Sequence, residues 1–168
     1  MREAEDGGIR VLVNPADGSA NFTITDHAEI LAATGGIGDT DNGGFAAVAD
    51  IDRDGDIDWI MRKPGGTPDI LRNDGVQAYT ALAFDETSSN SNKGGVAFCD
   101  FDNDGLMDVF WADAPSDANN VWRQSGVTFV DTNEPTDAEV GNTGVVDVDC
   151  GDIDNDGDLD LVLGGNND

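Results

Sequence analysis

Three segments of the chain carry aspartate at alternate positions, a pattern that suits cation binding. Each reads D-x-D-x-D-G-x-x-D, and they form loop 1 (residues 50–58), loop 2 (residues 100–108) and loop 3 (residues 152–160). Ca²⁺ binds about 6–8 oxygen ligands. Aspartates at positions 1, 3 and 5 can direct carboxylates at one centre, position 7 can offer its carbonyl, and the aspartate at position 9 closes the shell. Glycine at position 6 permits the sharp turn. The pattern therefore predicts three calcium sites.

A solvated acidic turn, a different metal and an EF-hand all fit the pattern less well. Without a metal, two unit charges about 4 Å apart repel by about 4 kcal/mol at an effective dielectric constant of roughly 20. Such a loop is poorly stable without a cation. Three copies in register, each between matched apolar segments, also argue against a merely solvated acidic turn. Mg²⁺ keeps its waters and demands octahedral geometry, and Zn²⁺ prefers His or Cys, which the loops lack. An EF-hand needs glutamate at position 12, where this chain has Met61, Trp111 and Leu163.

Matched apolar segments flank every loop and predict the strands that position it. The segments before the loops are residues 43–49, 94–99 and 144–150, and those after them are residues 59–61, 109–111 and 161–163. The runs after the loops are continuous rather than alternating, so we expect strands that are covered on both faces. Further along, residues 70–75 match residues 121–126, and the Asp74-Gly75 pair predicts a hairpin turn.

These elements predict an all-β fold of β-propeller blades, each with four antiparallel strands. Four short strands in about 50 residues is the size of one blade. The region around Val11 and Phe22 matches only the third and fourth strands, and the end of the chain matches only the first and second. We therefore expect a single domain of half a blade, two whole blades and another half blade, about three blade-equivalents. The approximate units are residues 9–42, 43–93, 94–143 and 144–168 within residues 1–168.

The repeated loop and its flanking strands resemble the FG-GAP/VCBS repeat family, the calcium-binding blades of integrin α-subunit-like propellers. The stretch over residues 152–163 carries the resemblance most closely, and only roughly the first eight residues lie outside it. The resemblance implies three bound Ca²⁺ per chain, each held by four carboxylates and the carbonyl at position 7. The implied ligands are Asp50, Asp52, Asp54, Asp56 and Asp58 in loop 1, Asp100, Asp102, Asp104, Leu106 and Asp108 in loop 2, and Asp152, Asp154, Asp156, Asp158 and Asp160 in loop 3.

The charge of the chain excludes several classes of partner. The formal net charge is -27, and 29 of the 35 acidic residues are aspartate. Nucleic acid and anionic membrane surfaces are excluded because no basic patch could neutralise their phosphates. No apolar run reaches the roughly 18 residues that would span a membrane. Residues 1–6 lack the apolar segment of a signal peptide, so we expect that a leader has been removed or that the sequence is an excised piece.

The cysteines and tryptophans are interpreted as structural residues. Because two cysteines make no disulfide framework, Cys99 and Cys150 are expected to be two small buried residues. Trp59, Trp111 and Trp122 are expected to pack in cores between blades, rather than to form a platform for a sugar ligand.

The leading prediction for function is a non-enzymatic, calcium-binding propeller module at the cell surface or in the extracellular space. Such a module would serve adhesion, recognition of a protein or glycan ligand, or self-assembly. Millimolar calcium outside cells suits weak loops that are rich in carboxylates. One alternative is a structural subunit of a filament or closed ring, in which complementary half blades of two chains complete each other. Another is an accessory or catalytic propeller of a polysaccharide-active enzyme.

Overall fold

The strands of the fold are seen in a computed structural model. It describes residues 11–13, 23–25, 46–62, 68–75, 78–82, 84, 95–112, 120–134 and 144–166. Within these ranges all of the regular secondary structure is β-strand. Of the residues described, none lies in a helix that could cross a membrane.

Twelve strands follow one another along the described residues. They are β1 (Val11–Val13), β2 (Thr23–Thr25), β3 (Ala46–Ala49), β4 (Asp58–Arg62), β5 (Pro68–Asn73), β6 (Tyr79–Leu82), β7 (Val96–Cys99), β8 (Asp108–Trp111), β9 (Asn120–Ser125), β10 (Thr128–Asp131), β11 (Gly144–Gly151) and β12 (Asp160–Asn166).

The strands form four antiparallel sheets in the order of the chain. The N-terminal sheet is β1–β2 and the C-terminal sheet is β11–β12. Between them lie the first full sheet, in the order β3-β4-β5-β6, and the second full sheet, in the order β7-β8-β9-β10. Each strand of a full sheet pairs with its neighbour in sequence, which is the up-and-down arrangement predicted for a blade. The all-β fold of four-stranded antiparallel sheets is therefore confirmed.

Tight turns join the third and fourth strands of both full sheets. In the first full sheet Asn73 pairs with Tyr79, and Gly75 adopts a φ of 74° in the turn between them. The Ala78 N–H donates to the Gly75 carbonyl at 2.9 Å. In the second full sheet Ser125 pairs with Thr128 across a turn that contains Gly126, with a φ of 65°. The hairpin predicted from Asp74-Gly75 is confirmed, because glycine supplies the positive φ that such turns require.

A first hydrophobic core fills the space between the two full sheets. Its members alternate along their strands, so one face of each sheet contributes to it. They are Ile51, Ile60, Ile70 and Phe84 from the first repeat and Val96, Val109, Trp111, Trp122 and Phe129 from the second. Phe84 lies 4.6 Å from Trp122 and 5.9 Å from Phe129, measured between ring centroids. Aromatic pairs at these separations add to the stabilisation that burial provides.

A second core lies between the opposite face of the second full sheet and the C-terminal sheet. It contains Ala97, Cys99, Phe110, Ala112, Val145 and Val148. Strand β8 therefore contributes Val109 and Trp111 to one core and Phe110 to the other, and all four of its residues are buried. The prediction of a strand covered on both faces is confirmed for β8.

The same prediction is wrong for β12. Val162 stands in β12 where Phe110 stands in β8, counted from the aspartate at position 9 of each loop. Phe110 is fully buried against the C-terminal sheet, whereas Val162 is 51% exposed. Asp149, which pairs with Val162, is exposed as well. Within the described part of the chain, no further sheet covers this face.

Cys99 and Cys150 form a disulfide, which the expectation of two small buried residues did not include; Cys99 is buried and Cys150 is partly buried. Each cysteine lies at or near the end of the strand that precedes a loop, and those strands, β7 and β11, contact each other. The Cα atoms lie 6.5 Å apart although the residues are separated by 51 positions. Closing a covalent loop of this length stabilises a fold by roughly 4 kcal/mol in the chain-entropy description.

The three tryptophans do not share one environment. Trp111 and Trp122 are 1% and 5% exposed in the first core, as expected. Trp59 is only partly buried and lies outside both cores, so the expectation is wrong for this residue. Its ring packs edge-on against Tyr79, and its Nε1–H donates to the carbonyl of Ile57. Trp59 precedes Ile60, whose side chain lies in the first core, so the alternation along β4 places Trp59 on the opposite face of the sheet.

Candidate metal centres

The three aspartate-rich loops occupy one position in the fold. Loop 1 joins β3 to β4, loop 2 joins β7 to β8, and loop 3 joins β11 to β12. Each therefore connects the first and second strands of its sheet. Because β3 contacts β7 and β7 contacts β11, the loops belong to neighbouring sheets.

Every loop brings the carboxylates of positions 1, 3 and 9 together. In each cluster, one oxygen from every carboxylate lies within 4.8 Å of the others. The clusters are Asp50, Asp52 and Asp58, then Asp100, Asp102 and Asp108, and finally Asp152, Asp154 and Asp160. Nine of the fifteen predicted ligands are thus gathered as three equivalent groups of three.

The aspartate at position 1 organises the turn of its loop. In loop 1, Asp50 accepts hydrogen bonds from the backbone N–H groups of Asp54 at 3.1 Å and Gly55 at 3.0 Å. In loop 3, Asp152 accepts the same two bonds from Asp156 and Gly157, each at 3.1 Å. The short side chain of aspartate can fold back onto nearby N–H groups in this way, which explains why aspartate rather than glutamate recurs in the loops.

Two positions in each loop have a left-handed backbone. Glycine at position 6 has a φ of 95°, 85° and 98° in loops 1, 2 and 3, as its role in the sharp turn predicts. Position 4 also has a positive φ, in Arg53 at 63°, Asn103 at 57° and Asn155 at 62°. Asparagine tolerates this region, whereas arginine there is strained. The repeated conformation at position 4 was not predicted from the sequence.

The aspartate at position 9 also joins its loop to the third strand. Asp58 is fully buried and accepts hydrogen bonds from the backbone N–H of Ile51 at 2.8 Å and of Asn73 at 2.7 Å. In loop 2, Asp108 accepts the equivalent bonds from Phe101 at 3.0 Å and Gln124 at 2.8 Å. This second role of position 9 was not predicted, because Asn73 and Gln124 lie far from the loops in sequence.

Burial raises the pKa of both Asp58 and Asp108. In each case desolvation has the largest effect, and the two backbone hydrogen bonds oppose it. The charges of Asp52 and Asp54 raise the pKa of Asp58 further, and Asp102 and Asp104 do the same for Asp108. Keeping these carboxylates ionised therefore costs free energy when no cation lies between them. A bound cation would offset that cost.

Positions 5 and 7 lie outside the carboxylate clusters. The side chains at position 5 accept hydrogen bonds from the N–H at position 7. The bonds run from Asp56 to Asp54 at 2.8 Å, from Leu106 to Asp104 at 2.7 Å and from Asp158 to Asp156 at 3.0 Å. Coordination by these side chains, and by the carbonyls of Asp56, Leu106 and Asp158, remains a prediction.

Arginines on the third strands contact the aspartates at position 3. Nη1 of Arg123 lies 2.6 Å from Oδ2 of Asp102. Nε of Arg72 lies 3.6 Å from Oδ2 of Asp52 and 2.6 Å from Oδ1 of Asp74. Each arginine offsets part of the negative charge of its loop. The alignment of residues 70–75 with residues 121–126 contained this signal, since it places the two arginines at the same position.

The chemistry of the clusters fits a hard divalent cation. All of the clustered donors are carboxylate oxygens, which suit Ca²⁺ and lack the nitrogen or sulfur that Zn²⁺ prefers. In loop 2, Oδ1 of Asp100 is buried and receives no hydrogen bond within the described residues. A buried carboxylate oxygen without a partner costs free energy, and a cation at this cluster would satisfy it.

Comparison with known proteins identifies the repeat. A family model described as FG-GAP-like repeat matches residues 50–111 and again residues 100–163. Each match runs from the start of one loop to the strand after the next loop, and together they cover more than half of the chain. No curated protein matches the chain. The chain belongs to the FG-GAP-like repeat family, whose repeats form the blades of β-propellers.

Proposed function

We propose that the protein is a non-enzymatic, extracellular β-propeller repeat module that is stabilised by three Ca²⁺ ions, one in each loop. The three equivalent carboxylate clusters carry this proposal. The module serves adhesion, ligand recognition or self-assembly. FG-GAP repeats are typically non-enzymatic and typical of extracellular proteins, which supports both parts of the assignment.

Calcium fits the loops better than magnesium does. Four carboxylates and a carbonyl in a nine-residue loop provide many oxygens in an irregular arrangement. Ca²⁺ accepts such arrangements, whereas Mg²⁺ requires near-octahedral geometry and holds its waters tightly. The exposed side chains at positions 3 and 5, Asp52 and Asp54 in loop 1, leave room for water molecules to complete the shell.

The disulfide supports an extracellular location. Disulfides persist in oxidising compartments and are rare where thiols are kept reduced. The bond between Cys99 and Cys150 links two neighbouring sheets close to loops 2 and 3. A covalent link beside calcium loops suits a protein that works where calcium is abundant and the surroundings are oxidising.

Calorimetry and thermal melts test the proposal together. We expect a stoichiometry of three Ca²⁺ per chain, following the three clusters. Chelation should lower the melting temperature, because the carboxylates then repel one another, and Mg²⁺ should restore less stability than Ca²⁺. No heat of binding, together with an unchanged melting temperature in chelator at physiological salt, would overturn the proposal.

The two-stranded sheets favour a second candidate, assembly into a filament or ring. Within the described residues, the N-terminal and C-terminal sheets have two strands each where the full sheets have four. Strand β12 corresponds to β4 and β8, whose second edges pair with β5 and β9. No strand of the described part of the chain pairs with the second edge of β12, and a free edge of this kind accepts another strand. We propose that β1 of a second copy pairs with β12, which completes a four-stranded sheet from two chains.

Sedimentation tests the assembly. Deleting residues 11–25 removes β1 and β2 and should convert an oligomer or polymer into a single chain. Calcium stoichiometry should stay at three per chain, because all three loops remain. A truncated protein that sediments like the parent would show that these strands do not join the copies.

A further inference from the structure

The side chain of Gln124 bridges two neighbouring sheets. Gln124 lies on β9 and is 5% exposed. Its Nε2 donates to the carbonyl of Ile51 at 2.8 Å and to the carbonyl of Gly126 at 2.7 Å. Its Oε1 accepts the backbone N–H of Met107 at 3.0 Å. Both donor hydrogens and the acceptor oxygen of this buried amide are therefore used.

Two of these partners lie inside calcium loops. Ile51 occupies position 2 of loop 1, between the predicted ligands Asp50 and Asp52. Met107 occupies position 8 of loop 2, immediately before Asp108. The backbone N–H of Gln124 donates to Asp108 at 2.8 Å, so the residue contacts loop 2 twice. The bond to Ile51 spans 73 positions in sequence and is the contact that reaches the preceding sheet.

We propose that Gln124 couples the cation sites of loops 1 and 2, so that a cation in either loop strengthens binding at the other. The proposal rests on the calcium-binding function proposed above. A cation in loop 1 holds the peptide of Ile51 in place and thereby fixes the acceptor of Gln124. The ordered amide then holds the N–H of Met107, and the end of loop 2 is arranged before its own cation arrives. The second cation therefore binds a loop that is already ordered, so less of its binding free energy is lost to ordering.

Asn73 provides a matched comparison within the same chain. It occupies the position of Gln124 in the first full sheet, and its backbone N–H likewise donates to the aspartate at position 9, Asp58. Its side chain is one methylene shorter and, among the described residues, bonds only within its own repeat: Nδ2 donates to the carbonyl of Ile57 at 3.4 Å, and Oδ1 accepts the N–H of Gly75 at 3.2 Å. Substituting Gln124→Asn therefore installs a side chain that the repeat already accepts at this position but that is too short to reach Ile51.

A thermodynamic cycle measures the coupling. Every protein in the cycle carries Asp154→Ala, which abolishes calcium binding at loop 3. Only loops 1 and 2 then contribute to the binding curve. Calorimetry then gives calcium binding constants for a protein with both loops, for one without loop 1 (Asp52→Ala) and for one without loop 2 (Asp102→Ala). The coupling factor is the product of the two constants in the two-loop protein divided by the product of the two single-loop constants. We expect a factor of about five or more with Gln124 present, in the range of typical couplings between sites.

The same cycle in the Gln124→Asn background tests the residue itself. We expect the coupling factor to fall to less than half, while Asn73→Ala, the control at the equivalent position, leaves it unchanged. A Gln124→Asn protein that melts earlier but keeps the factor would show a purely structural role and overturn the proposal. A factor of one with Gln124 in place would also overturn it, and this result does not depend on the variant folding. Calcium binding at both loops would survive either outcome, so failure of the coupling is distinguishable from failure of the proposed function.

Discussion

Asn103 at position 4 of loop 2 donates a hydrogen bond from Nδ2 to Oδ1 of Asp158 at position 7 of loop 3, at 2.7 Å. Arg53, at position 4 of loop 1, likewise reaches the next loop. Its Nη2 lies so close to Gly105 of loop 2 that a Cβ on that glycine would be 2.5 Å away. The left-handed backbone at position 4 thus carries each of these side chains to the loop of the following sheet. Adjacent loops are therefore in direct contact.

Substituting Asn103→Gly should weaken calcium binding at loop 3 by a few-fold and leave loop 1 unchanged. Glycine keeps the positive φ without strain and removes only the amide that orients Asp158. An exposed hydrogen bond of this type contributes about 0.5–1.5 kcal/mol. Calorimetry on the single variants provides the measurement. Asn155→Gly is the control, since Asn155 has the same backbone conformation in loop 3. Equal effects of the two variants on loop 3 would contradict a role for the inter-loop bond.

Substituting Asp104→Ala should reduce the calcium stoichiometry from three to two per chain. Asp104 is the carboxylate at position 5 of loop 2, and the alanine removes a predicted ligand and the acceptor for the N–H of Leu106. Asp117→Ala, outside the three loops and outside the described residues, should keep all three. Calorimetry reports both numbers, and identical stoichiometry in the two variants would contradict the ligand assignment.

Substituting Asp58→Asn should destabilise the fold even in chelator. Both oxygens of Asp58 accept backbone N–H groups, and an amide would turn an NH₂ toward one of these donors. Leaving a buried N–H without an acceptor costs about 1–3 kcal/mol. Thermal melts in chelator isolate this effect from the loss of a calcium ligand. Asp52→Asn, at an exposed position of the same cluster, should change the melt in chelator far less. Equal melts for both variants would show that position 9 acts through the cation alone.

Removing the disulfide should lower stability substantially. The double variant Cys99→Ser with Cys150→Ser opens a covalent loop over 51 positions. The chain-entropy description gives a loss of roughly 4 kcal/mol, measurable by urea unfolding in saturating calcium. The parent treated with reductant should behave like the variant. Titration of two free thiols in the native, untreated protein would contradict the pairing.

The loops and their strands could be predicted because their signals are local. Alternating aspartates, the glycine at position 6 and the apolar segments beside them recur in sequence order, so the repeat revealed both the clusters and the hairpin at Gly75. Contacts between repeats carry no such signal. The bonds from Gln124 to Ile51 and from Cys99 to Cys150 join residues 73 and 51 positions apart, and each occurs once in the part of the chain that the structure describes. The exposure of Val162 was missed because the apolar run of β12 is similar in sequence to that of β8, although among the described residues β8 is covered on both faces and β12 is not.

The disulfide also determines how the protein responds to mechanical force. When the two ends of the chain are pulled apart, tension passes from Cys99 directly to Cys150 and bypasses the residues between them. At about 3.4 Å per extended residue, the disulfide prevents the chain from lengthening by roughly 170 Å. Loop 2 and strands β8 to β10 lie inside the bypassed segment, whereas loops 1 and 3 lie on the path that carries the force. The carboxylate cluster of loop 2 would therefore outlast those of loops 1 and 3 when the chain is under tension.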